Sequence, residues 1–168
     1  MLPYETKKRL FKSWDTWIVG LAAKIFNFQS VSRASMIADA HYNLGNDFFQ
    51  KWLDPNMQYS CAYWKDADNL EQAQLNKMHL LAKKLKLEPG MHVLDFGSGW
   101  GTLASFLAKN YGVKVTGINI STEQVKFARD LVEKERLSDQ VKFLLQDYRK
   151  TVGQYDRSVR NNKYNGWN

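Results

Sequence analysis

The stretch that most constrains the fold of this chain is residues 91–101, which read MHVLDFGSGWG. A short apolar run leads to Asp95, and glycines follow at every second position, at Gly97, Gly99 and Gly101. An amphipathic run begins directly afterwards, so the pattern predicts a strand, a tight turn and the start of a helix. Glycines let a backbone turn sharply and approach a ligand closely, and a helix N-terminus offers unpaired N–H groups. The sequence therefore predicts a ligand site at the carboxyl end of this strand.

Strand and helix patterns alternate around this stretch. A helix is predicted over 69–87, with Asn69 as its N-cap and Pro89-Gly90 at its end. The chain continues with a strand at 91–95, a helix at 101–110, a strand at 113–118, a helix at 121–136 that opens on the capping box S-T-E-Q, and a strand at 141–145. This order predicts an α/β fold with a parallel sheet wound in right-handed crossovers. Ligands bind such sheets at the carboxyl ends of the strands, which groups 95–101, 119–124 and 146–148 into one site.

The pattern weakens after the third strand. Residues 154–160 offer the start of a fourth strand, but no apolar run of normal length follows. We therefore expect one edge of the central strand to be unpaired or poorly covered, which is a liability for a sheet. The predicted organisation is an N-terminal helical segment at 1–68, a Rossmann-like half-domain at 69–157 that is incomplete in its C-terminal half, and a divergent tail at 158–168.

Charge and composition narrow the class of partner. The 168 residues carry a formal net charge of +7, and 14% are aromatic, with six Trp, which favours an anionic partner such as nucleic acid or anionic lipid. Residues 7–26 show basic residues beside an apolar helical face, which fits either a helix packed on the domain or one lying on lipid. No uncharged apolar run reaches the ~20 residues of a membrane span. Without a secretory signal, and with Cys61 as the single cysteine, we expect a cytoplasmic protein with no disulfide framework and no metal cluster.

Residues 41–64 are alternately polar and aromatic. Their polar side chains suit the capping of short helices, whereas the aromatic cluster around Tyr59, Ser60 and Cys61 suits a pocket for a cation, because ring faces attract positive charge. Taken alone, Cys61 is expected to be a small buried hydrophobic residue.

The glycine loop does not fit the common phosphate-binding patterns. Thr102 stands at the third glycine of the dinucleotide fingerprint, and Asn119 stands near the expected acid. No Gly-Lys-Ser/Thr follows, which excludes a P-loop. The spacing D-x-G-x-G-x-G instead resembles motif I of the class I S-adenosylmethionine-dependent methyltransferases.

Five ordered blocks extend this resemblance: AHYNLGNDFF, LDPNMQYSCAYW, LDFGSGWG, NISTEQ and LLQDY. Together they resemble the catalytic domain of the cyclopropane-fatty-acyl-phospholipid synthases, the family that contains the mycolic acid cyclopropane synthases, over roughly residues 25–157. The family's loop commonly reads Gly-Cys-Gly, where this chain has Gly97-Ser98-Gly99.

The resemblance implies a role for each matching position. Tyr59 and Ser60 would hold the methionine end of S-adenosylmethionine, and Asp95, Gly97, Ser98, Gly99 and Gly101 would pack against its methionine and sugar. Asn119, Ile120 and Gln124 would meet the ribose, although Gln124 is alternatively part of the capping box. Gln146 and Asp147 would face the adenine. Cys61 would be the active-site cysteine beside a bound bicarbonate that serves as base, and no metal is expected.

The resemblance also implies a reaction, which is transfer of a methylene from S-adenosylmethionine to a cis double bond of a phospholipid acyl chain. It predicts an anionic membrane surface as partner, a peripheral location on the inner membrane surface and no nucleic acid. The family's later acidic, histidine and tyrosine residues have no counterpart here, so we expect a truncated chain that shows no cyclopropanation alone. Two alternatives remain open: a methyltransferase with another substrate, and a non-catalytic basic module that binds nucleic acid or membrane through residues 7–33.

Overall fold

The computed structural model describes residues 46–160, all of which belong to one compact unit. The elements are helix α1 (Asn46–Gln50), helix α2 (Leu70–Leu85), strand β1 (His92–Phe96), helix α3 (Thr102–Tyr111), strand β2 (Lys114–Asn119), helix α4 (Thr122–Lys134), strand β3 (Val141–Leu145) and strand β4 (Arg157–Val159). The basic stretch predicted to be helical at 7–26 and the end of the divergent tail lie outside the described residues.

The four strands form one parallel sheet in the order β3-β2-β1-β4. Strand β1 is central, and Val93 lies opposite Val115 on one side and Arg157 on the other. Helices connect successive strands, so the predicted α/β class with a parallel sheet is confirmed. The carboxyl ends of β1 and β2 share one edge, which is where a ligand site is expected in such a sheet.

The expectation of an unpaired edge beside the central strand is wrong for three residues. Strand β4 pairs in parallel with β1 over Val93–Asp95, although β4 has no long apolar run. Its position is fixed at its start, where the Arg157 guanidinium donates to the Leu85 carbonyl at 2.7 Å and Asp156 accepts from the His92 N–H at 2.7 Å. Backbone pairing and these anchors therefore hold the strand together with the burial of Val159 in the core. The boundary expected between 157 and 158 falls inside this strand.

One apolar core joins the sheet to helices α2, α3 and α4. Its buried members include Met78 of α2, Val93 of β1, Leu107 of α3, Val115 of β2 and Val125 of α4. Strands β1 and β2 are largely buried, which is usual for parallel strands covered by helices. Among the described helices, none is both long and apolar enough to cross a bilayer.

The helix ends follow the predicted chemistry in part. Asn69 caps α2 by accepting from the Gln72 N–H at 2.9 Å. Helix α2 ends at Leu85, before the predicted Pro89-Gly90, because Lys86 takes a left-handed conformation with φ of 49°. Ser121 caps α4 by accepting from the Gln124 N–H at 3.4 Å.

Candidate functional site

A cavity of about 300 Å³ opens at the carboxyl ends of β1 and β2. Its walls come from residues 57–60, from the glycine loop and the start of α3, from the loop after β2, and from Arg160 after β4. The structure brings nine of the predicted site residues to this cavity: Tyr59, Ser60, Asp95, Gly97, Ser98, Gly99, Asn119, Ile120 and Gln124. Its volume is at the lower end of the range typical of small-molecule sites, roughly 300–1,000 Å³.

The glycine loop presents bare main chain to this cavity. Gly97 and Gly99 have φ of +69° and +56°, and a Cβ atom at either position would meet no protein atom within 4 Å. The N–H groups of Gly97 and Ser98 both donate to the Ile118 carbonyl, at 2.9 and 3.1 Å, which ties the turn to β2. The loop is therefore held by its neighbours while its glycine Cα atoms face open space, which suits close approach by a ligand.

Gly101 has a different environment from the other two glycines. Its φ is +84°, and a Cβ atom there would lie 2.6 Å from Phe143 Cζ and 2.7 Å from Ala128 Cβ. Gly101 is absent from the cavity wall and stands at the N-cap of α3. Gly101 thus lies where α3 packs against α4 and β3, and its expected contact with the cofactor stays a prediction.

Asp95 lies at the base of the cavity, where it is 1% exposed. Neither of its carboxylate oxygens has a hydrogen-bond partner within the described part of the chain. Burial raises the pKa of this carboxyl from 3.8 to about 7. Buried carboxylates without donors are rare in folded proteins, so this pair of oxygens points to a ligand that carries N–H groups or positive charge.

Asn119 and Gln124 form one side-chain unit at the end of β2. Asn119 Nδ2 donates to Gln124 Oε1 at 2.8 Å and to the Gly99 carbonyl at 3.3 Å. Asn119 Oδ1 accepts from the N–H groups of Ile120 and Ser121. The Gln124 side chain is thus directed to Asn119 and does not accept from the Ser121 N–H, so the capping box is not completed. Its expected contact with the ribose stays a prediction. Asn119 connects the glycine loop to the loop after β2.

Gln146 and Asp147 are not brought to the cavity wall. Gln146 Nε2 donates to Thr151 Oγ1 at 3.2 Å. The Asp147 carboxylate receives the backbone N–H and the guanidinium of Arg149, with a shortest distance of 2.6 Å, and the hydrogen bonds from Arg149 lower its pKa to about 2. Their expected contacts with adenine stay a prediction, and a ligand that reached Asp147 would compete with Arg149.

The loop before the cavity is fastened to α2. Gln74 Nε2 donates to the carbonyls of Gln58 and Ser60, at 3.1 and 3.0 Å, and Lys77 Nζ donates to Ser60 Oγ at 2.8 Å. The next residue, Cys61, is exposed and does not line the cavity. The expectation that Cys61 is a buried hydrophobic residue is therefore wrong, because the loop turns it outward after Ser60.

An aromatic cluster closes one side of the site. Phe49, Met57 and Trp100 are buried together, and the ring of Phe49 lies 5.0 Å from that of Trp100 and 5.7 Å from that of Tyr59, between centroids. Trp100 Nε1 donates to Asn46 Oδ1 at 2.7 Å, which fixes α1 to the glycine loop. Met57, Tyr59 and Trp100 of this group line the cavity, and the two rings offer it apolar faces that also attract cations.

Several site residues were not predicted from the sequence. Trp100 lies inside the glycine motif, and Lys77 lies behind Ser60. Gln58 Nε2 donates to Thr102 Oγ1 at 2.6 Å, and both residues line the cavity. The one visible signal was Lys77, a charged residue on the apolar stripe of a predicted helix. The sequence around Gln58 and Trp100 does not distinguish these two residues from other loop residues.

Sequence comparison relates the chain to known proteins. The family model described as mycolic acid cyclopropane synthetase matches residues 29–163. The chain is 54% identical over 137 residues to the cyclopropane-fatty-acyl-phospholipid synthase of Escherichia coli strain K12, covering 82% of this chain and 35% of that protein. It is 47% identical over 122 residues to a probable fatty acid methyltransferase of Pseudomonas putida, covering 71% and 31%. The chain thus spans about a third of the length of these relatives.

Solved structures share the fold. The cyclopropane synthase MmaA2 from Mycobacterium tuberculosis superposes with a TM-score of 0.72 at 35% identity, covering 75% of this chain and 45% of that one. The mycolic acid cyclopropane synthase CmaA1, complexed with SAH and CTAB, superposes with a TM-score of 0.71 at 36% identity and the same coverage.

Proposed function

Because this chain belongs to the mycolic acid cyclopropane synthetase family, we propose that it binds S-adenosylmethionine in the cavity at the carboxyl ends of β1 and β2. We propose further that this site supplies the cofactor for transfer of a methylene to a cis double bond of a phospholipid acyl chain, a reaction that we do not expect from these 168 residues alone. The relative from Escherichia coli carries that activity in its name, and the CmaA1 structure contains SAH, the demethylated form of this cofactor.

The observation that carries the proposal is the buried carboxylate of Asp95. Both of its oxygens lack a donor among the described residues, and Asp95 lines the cavity together with Gly97 and Gly99. S-adenosylmethionine carries an α-amino group and a sulfonium, so it offers both N–H donors and positive charge. The residues present therefore fit this cofactor, which supplies an electrophilic methyl group when bound.

The surrounding residues have distinct tasks in this proposal. Asp95 accepts from the cofactor's amino group, and the bare main chain at Gly97 and Gly99 lets the cofactor lie against the sheet edge. Gln124 holds the ribose through its amide N–H₂, since its Oε1 is already engaged by Asn119. The rings of Tyr59 and Trp100 exclude water and present faces that stabilise positive charge near the reacting atoms.

Bicarbonate is proposed as the base that removes a proton during ring closure, as the family resemblance implies. One electrostatic relation supports an anion near Cys61. The buried ammonium of Lys77 lies within the electrostatic reach of both Cys61 and Asp54, which raise its pKa against the effect of burial. Cys61 stands next to Ser60 and is exposed, so an anion from solution can reach it.

The substrate is proposed to be an unsaturated phospholipid in an anionic membrane, with the protein bound peripherally at the inner membrane surface. The described residues contribute large exposed aromatic side chains, namely Phe48, Trp52 and Trp64, which are 47%, 48% and 55% exposed. Aromatic rings with exposed faces favour the interface between water and lipid. The positive net charge of the whole chain favours anionic lipid.

Calorimetric titration with S-adenosylhomocysteine tests cofactor binding. We expect saturable binding by the wild type and loss of binding, by tenfold or more, in Gly99→Val, because the new side chain projects into the cavity. Gly90→Val is the matched control, since Gly90 also has a positive φ, of +88°, and open space around its Cα, but lies outside the cavity. Equal loss in both variants would mean that backbone strain, and not occupation of the site, causes the effect.

A further inference from the structure

Lys77 is a buried lysine on the apolar face of α2. Its side chain is 0% exposed, and its ammonium donates to Ser60 Oγ at 2.8 Å. Fully buried lysines are rare, because removing an ammonium from water is costly unless charge and hydrogen bonds offset the loss. No other hydrogen bond of Lys77 is present within 46–160, so its burial is not explained by a saturated set of acceptors.

Holding the loop in place does not by itself require a charge at this position. Gln74, one turn earlier on α2, already fixes the backbone of the loop through the Gln58 and Ser60 carbonyls. The Tyr63 N–H donates to the Ala73 carbonyl at 3.1 Å and fastens the loop further along. A methionine would fill the volume of Lys77 without the cost of burying an ammonium. What Lys77 adds to this loop is therefore positive charge.

The groups facing Lys77 decide its charge. Burial lowers its pKa from 10.5 to about 8, and the nearby Asp54 and Cys61 oppose that shift. Asp54 is itself occupied, since it accepts the N–H groups of Asn56 and Gln58. At neutral pH Lys77 is thus mainly a cation, placed one side chain behind the cavity wall.

The cavity has opposite charges at two of its walls. Lys77 stands behind Ser60, while Asp95 supplies a carboxylate that accepts from none of the residues 46–160. Ser60 Oγ accepts from Lys77, and an ammonium cannot accept in return, so the hydroxyl hydrogen of Ser60 is directed away from Lys77. An amino-acid zwitterion, with a carboxylate at one point and an ammonium at another, matches this arrangement.

We propose that Lys77 is a positioning residue which, through Ser60, makes one wall of the cavity a receptor for the carboxylate of the cofactor's amino-acid end. This inference rests on the proposed binding of S-adenosylmethionine and deepens it. Lys77 does not touch the cofactor. It orients the Ser60 hydroxyl and adds a positive charge in a region from which water is excluded, where such a charge acts more strongly than in solvent.

Two ligands distinguish recognition of the amino-acid end by Lys77 from a general effect of Lys77 on the structure of the site. S-adenosylhomocysteine has the amino-acid end, and 5′-methylthioadenosine lacks it but keeps the adenine, ribose and sulfur. We expect Lys77→Met to weaken the binding of S-adenosylhomocysteine by about tenfold, the difference between a charge-assisted and a neutral hydrogen bond, and to leave the binding of 5′-methylthioadenosine within about twofold. Ser60→Ala combined with Lys77→Met should be no weaker than the more damaging single variant, because both act on one interaction.

The pH profile and thermal stability complete the test. The ratio of wild-type to Lys77→Met affinity for S-adenosylhomocysteine should fall as the pH rises through about 8, where Lys77 loses its proton. Lys77→Met should melt no lower than the wild type at pH 7, since it removes a buried charge.

Three results would overturn the proposal. Equal weakening of both ligands together with a lower melting temperature in Lys77→Met would make Lys77 a structural residue. If Arg160→Ala no longer preferred S-adenosylhomocysteine to 5′-methylthioadenosine while Lys77→Met kept that preference, the receptor of the carboxylate would be Arg160, which also lines the cavity. A wild type that binds neither ligand would overturn the proposed cofactor as well, and that outcome is distinct from the first two.

Discussion

A carboxylate buried without donors weakens the fold unless a ligand or a proton compensates it. Within the described part of the chain no group donates to Asp95, and burial raises the pKa of its carboxyl to about 7. Between its ordinary value near 4 and about 7, the folded protein holds a proton that the unfolded chain has released. Stability of the ligand-free protein should therefore fall as the pH rises through this window, and binding of a cation should restore it.

The Asp95→Asn variant tests this residue. At pH 4 both proteins carry a neutral side chain here, so their melting temperatures should be similar. Above pH 7 the variant should be the more stable by up to roughly 4 kcal/mol in free energy of unfolding, at about 1.36 kcal/mol per pKa unit. Thermal melts from pH 4 to pH 8 measure this difference in stability between the two proteins. Asp130→Asn is the control, because Asp130 is exposed; identical profiles for all three proteins would contradict the assigned cost of burial.

Single residues also show how far the sequence predicts a site. Asp95, Gly97 and Gly99 were predicted because a glycine-rich turn after a strand has few other uses. The outward turn of Cys61 was not predictable, since it depends on hydrogen bonds from α2 to the loop before it. Gly101 continues the regular spacing of Gly97 and Gly99 in the sequence, but its surroundings differ. Phe143 and Ala128, which are distant in the sequence, lie against it.

At the scale of elements, strands β1, β2 and β3 and the helices between them were predictable to within about two residues. Their periodicity is local and their ends carry caps such as Asn69 and Ser121. For strand β4 the sequence offered only the start of a strand at 154–160 and predicted no pairing, because its three residues gain their position from the Arg157 contact with Leu85 and from pairing with β1. Elements held mainly by tertiary contacts leave no periodic signal in the sequence.

The junction of α3, α4 and β3 gives a prediction at this scale. Gly101→Ala should destabilise the protein by about 2–4 kcal/mol, because the methyl group meets Phe143 and Ala128 and the residue keeps a positive φ. Gly90→Ala has a similar φ and no atom within 4 Å of its Cβ, so it should cost only about 1 kcal/mol. Urea denaturation of the two variants measures the difference. Equal costs would show that the junction adjusts to the methyl group.

The whole molecule combines positive charge with exposed aromatic side chains. Its net charge of +7 comes from the full sequence, while Phe48, Trp52 and Trp64 are exposed in the described part. Neither feature alone selects lipid over nucleic acid. Both features support the proposed membrane surface, and the relatives from Escherichia coli and Pseudomonas putida are named for lipid substrates.

Vesicle sedimentation tests this at the scale of the molecule. The protein should sediment with vesicles that contain anionic phospholipid and remain largely in the supernatant with neutral vesicles, and added salt should weaken the binding. Trp52→Ala and Phe48→Ala should each reduce binding without changing the dependence on salt. Binding that is indifferent to lipid charge would remove the electrostatic part of the proposal.

The pairing of β4 with the central strand also bears on how the chain is made. Residues 92 and 156 are joined by hydrogen bonds, yet 64 positions separate them along the chain. Contacts between such distant residues form slowly, because a long loop must close first. On the ribosome, strands β1, β2 and β3 emerge and associate before β4 exists. Until β4 arrives, the N–H and C=O groups along that side of β1 are open to any other extended chain, and a chaperone that shields them would protect the nascent protein from aggregation.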